Sequence, residues 1–132
     1  LFLGRIGFHW LRQAEENNEI FGNNEEIIMR KYHHLGIPTD IKREGETYLE
    51  EFKIYVSGYE TSPYGIEWMR FEPDCPLHEL VKKVPHIAFE VDDLATELEG
   101  KKILIEPNSP SEGVTVAFIV DNGAPVEFIQ FE

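Results

Sequence analysis

Apolar positions in this chain fall into two regimes. From Tyr32 onward they come as short runs of β-branched and aromatic residues separated by Gly, Pro, Asn and Asp, the pattern of strands. It predicts strands at 32–38, 48–56, 65–71, 84–91, 102–105, 115–120 and 125–131. Asp121-Asn122-Gly123 is a tight-turn signal that makes the last two a hairpin. One short helix is predicted, with Asp92 or Asp93 at its start, Leu94, Ala95 and Leu98 as its apolar stripe and Gly100 at its end. Residues 76–83 allow a further helical turn, and 108–113 reads as a loop. Residues 1–28 break the pattern: polar runs of Glu and Asn separate Phe8, Trp10 and Leu11 from Ile20 and Phe21. Those apolar residues suit one side of a short helix, while the Asn and Gly between them oppose a long one. We read 1–28 as an N-terminal arm and 29–132 as a single domain. A second reading takes Met29 as the start and the preceding stretch as a translated leader.

A weak internal duplication lies inside the domain. His34-Leu35-Gly36-Ile37 matches His86-Ile87-Ala88-Phe89, and Ile66-Glu67-Trp68-Met69 matches Val126-Glu127-Phe128-Ile129. The order is His, Glu, His, Glu, each on a predicted strand. Side chains alternate across a strand, so His86, Ala88 and Glu90 share one face, and Ile87, Phe89 and Val91 the other. Leu35 and Ile37 likewise oppose His34, Ile66 and Trp68 oppose Glu67, and Val126 and Phe128 oppose Glu127. The apolar face is expected to be the packed one. If the sheet curls, the four polar side chains converge on its other side. Two imidazoles and two carboxylates form a mixed N/O set suited to Zn, Ni, Co, Mn or Fe(II), with positions left open for water or substrate oxygens.

Each of these residues alone has an ordinary alternative: a strand glutamate is commonly solvated, and a strand histidine merely hydrogen-bonded. Their repeat order is what singles them out. His33 rivals His34, but alternation sends adjacent residues to opposite faces, and His34 has the better match to His86. Glu90 is a candidate partner or base, with a surface ion pair the commoner role. Asp74, Cys75 and His78 lack zinc-site spacing. Tyr64, Trp68, Met69 and Phe71 suit a pocket wall or, more commonly, a core.

Charge narrows the field further. With 25 acidic against 12 basic residues the formal charge is −13, which repels a phosphate backbone and an anionic membrane surface. No apolar run approaches the roughly 18 residues that span a bilayer. The single cysteine, Cys75, excludes an internal disulfide and points to no oxidising compartment, so a cytoplasmic location is the expectation. No Ser/His/Asp motif, phosphate-binding Gly-rich loop or Cys-x-x-Cys pair is present.

His34-Leu35-Gly36-Ile37, GIEWMRF around Glu67, PHIAFEVDDL around His86 and DNGAPVEFIQF around Glu127 resemble the metal-ligand strands of the vicinal oxygen chelate superfamily, which includes glyoxalase, bleomycin-resistance and dioxygenase proteins. The resemblance runs from 32 to 131, is more specific in the second half, and has no counterpart for the arm. It implies an α+β fold of paired βαβββ units forming a curved mixed β-sheet. Only nine residues, 39–47, separate the first two predicted strands, so the first unit is abbreviated and leaves little room for its helix. The resemblance further implies a homodimer and a divalent metal ion held by His34, Glu67, His86 and Glu127. Its vacant positions chelate a small oxygenated substrate. The expected activity is of the lyase or isomerase type by metal-assisted proton transfer, with Glu127 or Glu67 as the base. The pattern is more similar to the glyoxalase and epimerase branches than to extradiol dioxygenases, which use two histidines and one glutamate. The arginine after the first ligand strand and the aromatic-rich first helix of glyoxalase I are missing, which argues against glutathione-dependent activity. The alternative is a non-catalytic ligand-sequestering protein of the bleomycin-resistance type, whose acidic character suits cationic ligands.

Overall fold

The computed structural model describes residues 19–20 and 30–132. Of the arm's expected helix, Ile20 lies instead in a two-residue strand, and the rest of the arm and Met29 lie outside the described residues. The strand-forming runs give β1 (Glu19–Ile20), β2 (Arg30–Pro38), β3 (Thr47–Leu49), β4 (Ile54–Ser57), β5 (Ile66–Phe71), β6 (His86–Glu90), β7 (Ile103–Ser111), β8 (Val114–Asp121) and β9 (Ala124–Phe131). They form one curled mixed sheet in the order β3-β4-β5-β2-β6-β9-β8-β7, with β1 paired to β2. The pairs β2/β5 and β6/β9 are parallel, and the central β2/β6 pair is antiparallel. The chain therefore contains two related units, β2 to β5 and β6 to β9, joined back to back at their first strands. This is the α+β architecture of paired βαβββ units with an abbreviated first unit.

Two short helices, α1 (Glu79–Lys83) and α2 (Leu94–Leu98), lie among the described residues. His78 caps α1, its Nδ1 accepting the Leu80 N–H at 3.0 Å. Asp93 caps α2, its carboxylate taking the Thr96 hydroxyl at 2.7 Å. Leu94 and Leu98 of α2 pack against Ala117, Ile119 and Phe128, covering the outside of the second unit. In the first unit that place falls to the 39–46 segment. Arg70 of β5 donates two hydrogen bonds to Glu46, at 2.8 and 2.9 Å, and Arg43 stacks 5.0 Å from the Trp68 ring. No helix among the described residues is long and apolar enough to cross a membrane.

Three sequence expectations are corrected. The strand expected at 48–56 is a hairpin, because the chain reverses through 50–53, where Lys53 takes a positive φ of 53° and Phe52 N–H bonds the Leu49 carbonyl. The loop expected at 108–113 is mostly strand: β7 runs to Ser111, its Pro and Ser residues tolerated because this edge strand pairs with β8 through repeated register shifts. The third correction concerns the faces. On β6, His86 and Ala88 are fully buried while Ile87 and Phe89 are only half-buried. Both faces are therefore packed: the outer one, with Phe89, Val91 and Phe128, against α2 as expected, and the inner one, where Met69 and Ile129 share the side of Glu67 and Glu127, more completely than expected. Burying the polar face is tolerable because its charged and polar groups partner one another. The Asp121-Asn122-Gly123 turn forms as expected, with positive φ at Asn122 and Gly123.

Candidate metal centre

Strand register assembles the site. Across β5, β2 and β6, Glu67 sits beside Gly36, and Gly36 opposite His86. Across β2, β6 and β9, His34 sits opposite Ala88, and Ala88 beside Glu127. Each row places a ligand-type residue on either side of a small one. The two rows are related by the duplication, with the Leu35↔Ile87 pair between them. The small residue in each row is a steric requirement. A Cβ built on Gly36 would lie 2.1 Å from His86 Cε1, so the imidazole lies directly across the Gly36 backbone.

All four candidate residues are buried to 2% exposure or less, yet the structure brings only three together. His34 Nε2, His86 Nε2 and Glu127 Oε1 form a triangle with edges of 3.2, 3.2 and 3.0 Å. These three residues are the set whose ligand atoms could hold one metal ion, and Glu67 stands outside it. Burial holds the His34 imidazole down to about 3 and the His86 imidazole to about 4, so both are neutral at pH 7 and offer lone pairs. Burial raises Glu127, yet its carboxyl is held well below the ordinary value and is ionised at pH 7.

The geometry fits an ion. Two neutral imidazoles bring at most one N–H each to the triangle, and an ionised carboxylate brings none. If both Nε2 atoms carry hydrogen, the His34–His86 edge sets donor against donor. A cation at the centre satisfies all three lone pairs at once. Ligand atoms at about 2.1 Å from one ion and at right angles to one another lie about 3.0 Å apart, against about 3.4 Å for a tetrahedron. The observed edges of 3.0–3.2 Å fall between these values, so the three donors are spaced to share one ion.

Glu67 has a different setting. It lines a cleft of about 930 Å³ walled by β3, β4 and the end of β7, together with Tyr48, Ser57, Tyr59 and Ser111. Burial, and secondarily the Glu127 charge, push its carboxyl up to about 7. It is the member of the set that lines this cleft.

The expectation for His33 is corrected. Alternation was to send it to the opposite face, but β2 carries a register shift between Tyr32 and His34. That bulge buries His33 and His34 together. His33 Nδ1 lies 2.8 Å from His34 Nδ1, and its ring stacks 5.4 Å from Tyr59. Sequence reasoning missed Gly36 and Tyr59 and sent His33 to the wrong face. A small residue two places after each repeat histidine was a readable signal for Gly36; the bulge and Tyr59 had none.

The remaining candidates separate cleanly. Met69 and Cys75 are core, and Phe71 packs against them. Tyr64 is exposed. Asp74 pairs with Lys53 and His78 caps α1, so no second metal cluster forms there. Glu90 lies opposite Lys31 on β2, beyond the triangle.

Acid should destabilise the metal-free protein. His34 and His86 take up protons near 6.5 when unfolded but only near 3 and 4 when folded, so lowering the pH through that window favours the unfolded chain. Glu67 acts oppositely between 4.5 and about 7, but it stands against three imidazoles, since burial also lowers His33. The melting temperature is therefore expected to fall from pH 6.5 towards 4 in chelator-treated protein. A flat profile by scanning calorimetry would mean that the histidines are already protonated in the fold.

No family model matches the chain, and no characterised protein sequence matches it significantly. Among solved structures it is similar to a hypothetical protein from Bacillus halodurans C-125, at 20% identity and a TM-score of 0.58, over 78% of this chain and 95% of that one. It also aligns with methylmalonyl-CoA epimerase from Mycobacterium tuberculosis, at 14% identity and a TM-score of 0.47, over 75% and 85% of the two chains. The first likeness is one of fold.

Proposed function

We propose that the chain is a metal-dependent enzyme of the lyase or isomerase type, acting on a small oxygenated substrate by proton transfer. The observation that carries this reading is the division of the four residues: His34, His86 and Glu127 form a three-sided metal seat, while Glu67 stands apart on the cleft wall. A divalent ion held there supplies Lewis acidity, polarising a substrate oxygen and acidifying the neighbouring C–H. His34 and His86 donate Nε2 lone pairs, and Glu127 supplies the compensating negative charge. Glu67 receives the proton. Its value near 7 suits a base that must both accept and return one near neutral pH. Of the two carboxylates nominated from sequence, Glu67 is thus the base in this reading and Glu127 a ligand.

The cleft also constrains the substrate. Among the described residues, Glu44, Glu50, Glu51, Glu60 and Glu67 line it against Arg43 alone, and Arg43 is stacked on Trp68. Such a wall disfavours polyanions and admits neutral or cationic molecules. A two-histidine, one-carboxylate face is also the seat of non-haem Fe(II) in oxygen-activating sites, which is the second reading that the three-ligand geometry favours.

The test combines elemental analysis with solvent-exchange NMR. Protein reconstituted with each metal is incubated in D2O with a panel of small 2-oxo and 2-hydroxy carbonyl compounds. Metal-dependent exchange of the α-proton is expected, with Glu67→Gln keeping the metal but slowing exchange by about 10²-fold or more. Exchange undiminished in Glu67→Gln would remove Glu67 as the base. Ligand binding that persists without metal would favour sequestration, and O2 consumption with Fe(II) would favour the oxygenase reading.

A further inference from the structure

His34 reaches the metal seat through Nε2, and its other ring nitrogen lies 2.8 Å from Nδ1 of its own chain neighbour, His33. A hydrogen bond between two Nδ1 atoms has one proton, so one ring donates and the other accepts. For His34 to offer a lone pair at Nε2, its proton must sit on Nδ1 and point at His33. His33 must then accept at Nδ1 and carry its own proton on Nε2. We propose that His33 is a positioning residue that locks His34 in the Nδ1–H tautomer, the form able to bind a metal through Nε2. The inference rests on the metal reading of the triangle, although its first readout needs no metal.

The surroundings hold His33 in the orientation this role requires. A lone pair on an imidazole nitrogen lies in the ring plane, so the plane of His33 must contain the direction of His34 Nδ1. Tyr59 sets that plane, stacking on His33 with an interplanar angle of 5°. The Tyr59 hydroxyl donates to the His33 carbonyl at 3.0 Å, tying ring and backbone to one side chain. His34 meets His33 edge-on at 79°, directing its edge N–H into that lone pair. The β2 bulge puts consecutive residues on one side of the strand, without which the two rings could not meet. Metal-bound histidines commonly donate their second N–H to a carboxylate or a carbonyl. An imidazole acceptor provides the same orientation without adding a buried negative charge beside Glu127 and Glu67.

The decisive measurement is two-bond ¹H–¹⁵N NMR of metal-free, ¹⁵N-histidine-labelled protein. His34 is expected as the Nδ1–H tautomer and His33 as Nε2–H; the reverse pair would overturn the proposal. Two variants then test the consequence by Zn²⁺ competition against a chelating dye. His33→Phe keeps a ring against Tyr59 but removes the acceptor, and should shift His34 towards Nε2–H and weaken Zn²⁺ binding about 10–100-fold. His33→Asn places an amide oxygen near the position of Nδ1 and should keep the tautomer and most of the affinity. Equal losses in both variants, or none in either, would reduce His33 to packing and overturn its positioning role. If either variant fails to fold, the wild-type tautomer still decides. Wild-type protein with the expected tautomer and no Zn²⁺ affinity would refute the metal reading alone; Zn²⁺ binding with the opposite tautomer would refute the relay alone.

Discussion

Metal content is expected to fall from near-stoichiometric to background when Glu127 is replaced by glutamine. The substitution keeps the shape of a fully buried side chain and removes its charge, so it separates the electrostatics of the seat from its packing. Without that carboxylate the triangle consists of two neutral imidazoles and an amide, and a divalent ion loses its only anionic ligand among the three. The loss should exceed the ~10–100-fold typical of deleting a partner outside the ligand shell. His86→Ala should have the same effect through the loss of one Nε2, at a greater cost in stability because it also empties core volume beside Phe118. Elemental analysis after gel filtration, together with a Zn²⁺ titration, reads both. Full occupancy in Glu127→Gln would mean that the ion, if any, is held elsewhere.

Gly36→Ala is expected to disable the same seat without touching a ligand. The added Cβ would meet the His86 ring at 2.1, 2.6 and 2.7 Å from three of its atoms. Restoring an ordinary contact of ~3.5 Å requires a movement of more than about 1 Å. A displacement of that size in a donor nitrogen breaks the 3.0–3.2 Å triangle. The backbone at Gly36 has no positive φ to forbid a side chain, so the penalty is steric. Overpacking of this kind costs about 1–3 kcal/mol. A double-mutant cycle isolates the cause: in a His86→Ala background the ring is gone, and Gly36→Ala should then cost little by calorimetry. Undiminished destabilisation there would place the clash elsewhere.

Much of this site was legible before any coordinates. The strand periodicity, the Asp-Asn-Gly hairpin and an Asp92 or Asp93 cap follow from local chemistry, and the repeat pointed to two halves that pair. His34, His86 and Glu127 could be named because a duplicated strand places equivalent side chains at equivalent positions. What was misread shares one origin. Alternation says which residues share a face, but not that a curling sheet buries both, so the depth at which the polar set is buried was missed. It also fails wherever a strand carries an extra residue, as β2 does at His33.

The sequence by itself determined the inventory: two histidines and two glutamates in repeat order, each on a strand, with a small residue two places beyond each histidine. These are properties of period-2 geometry and of nearest neighbours. Tertiary structure alone decided that the polar face is the interior, that three of the four side chains meet while Glu67 turns to the cleft, and that His33 joins His34 behind the seat. Those outcomes depend on sheet curvature and on register between strands roughly forty to sixty residues apart, and pairing over such separations is set by the whole fold rather than by any local run of residues.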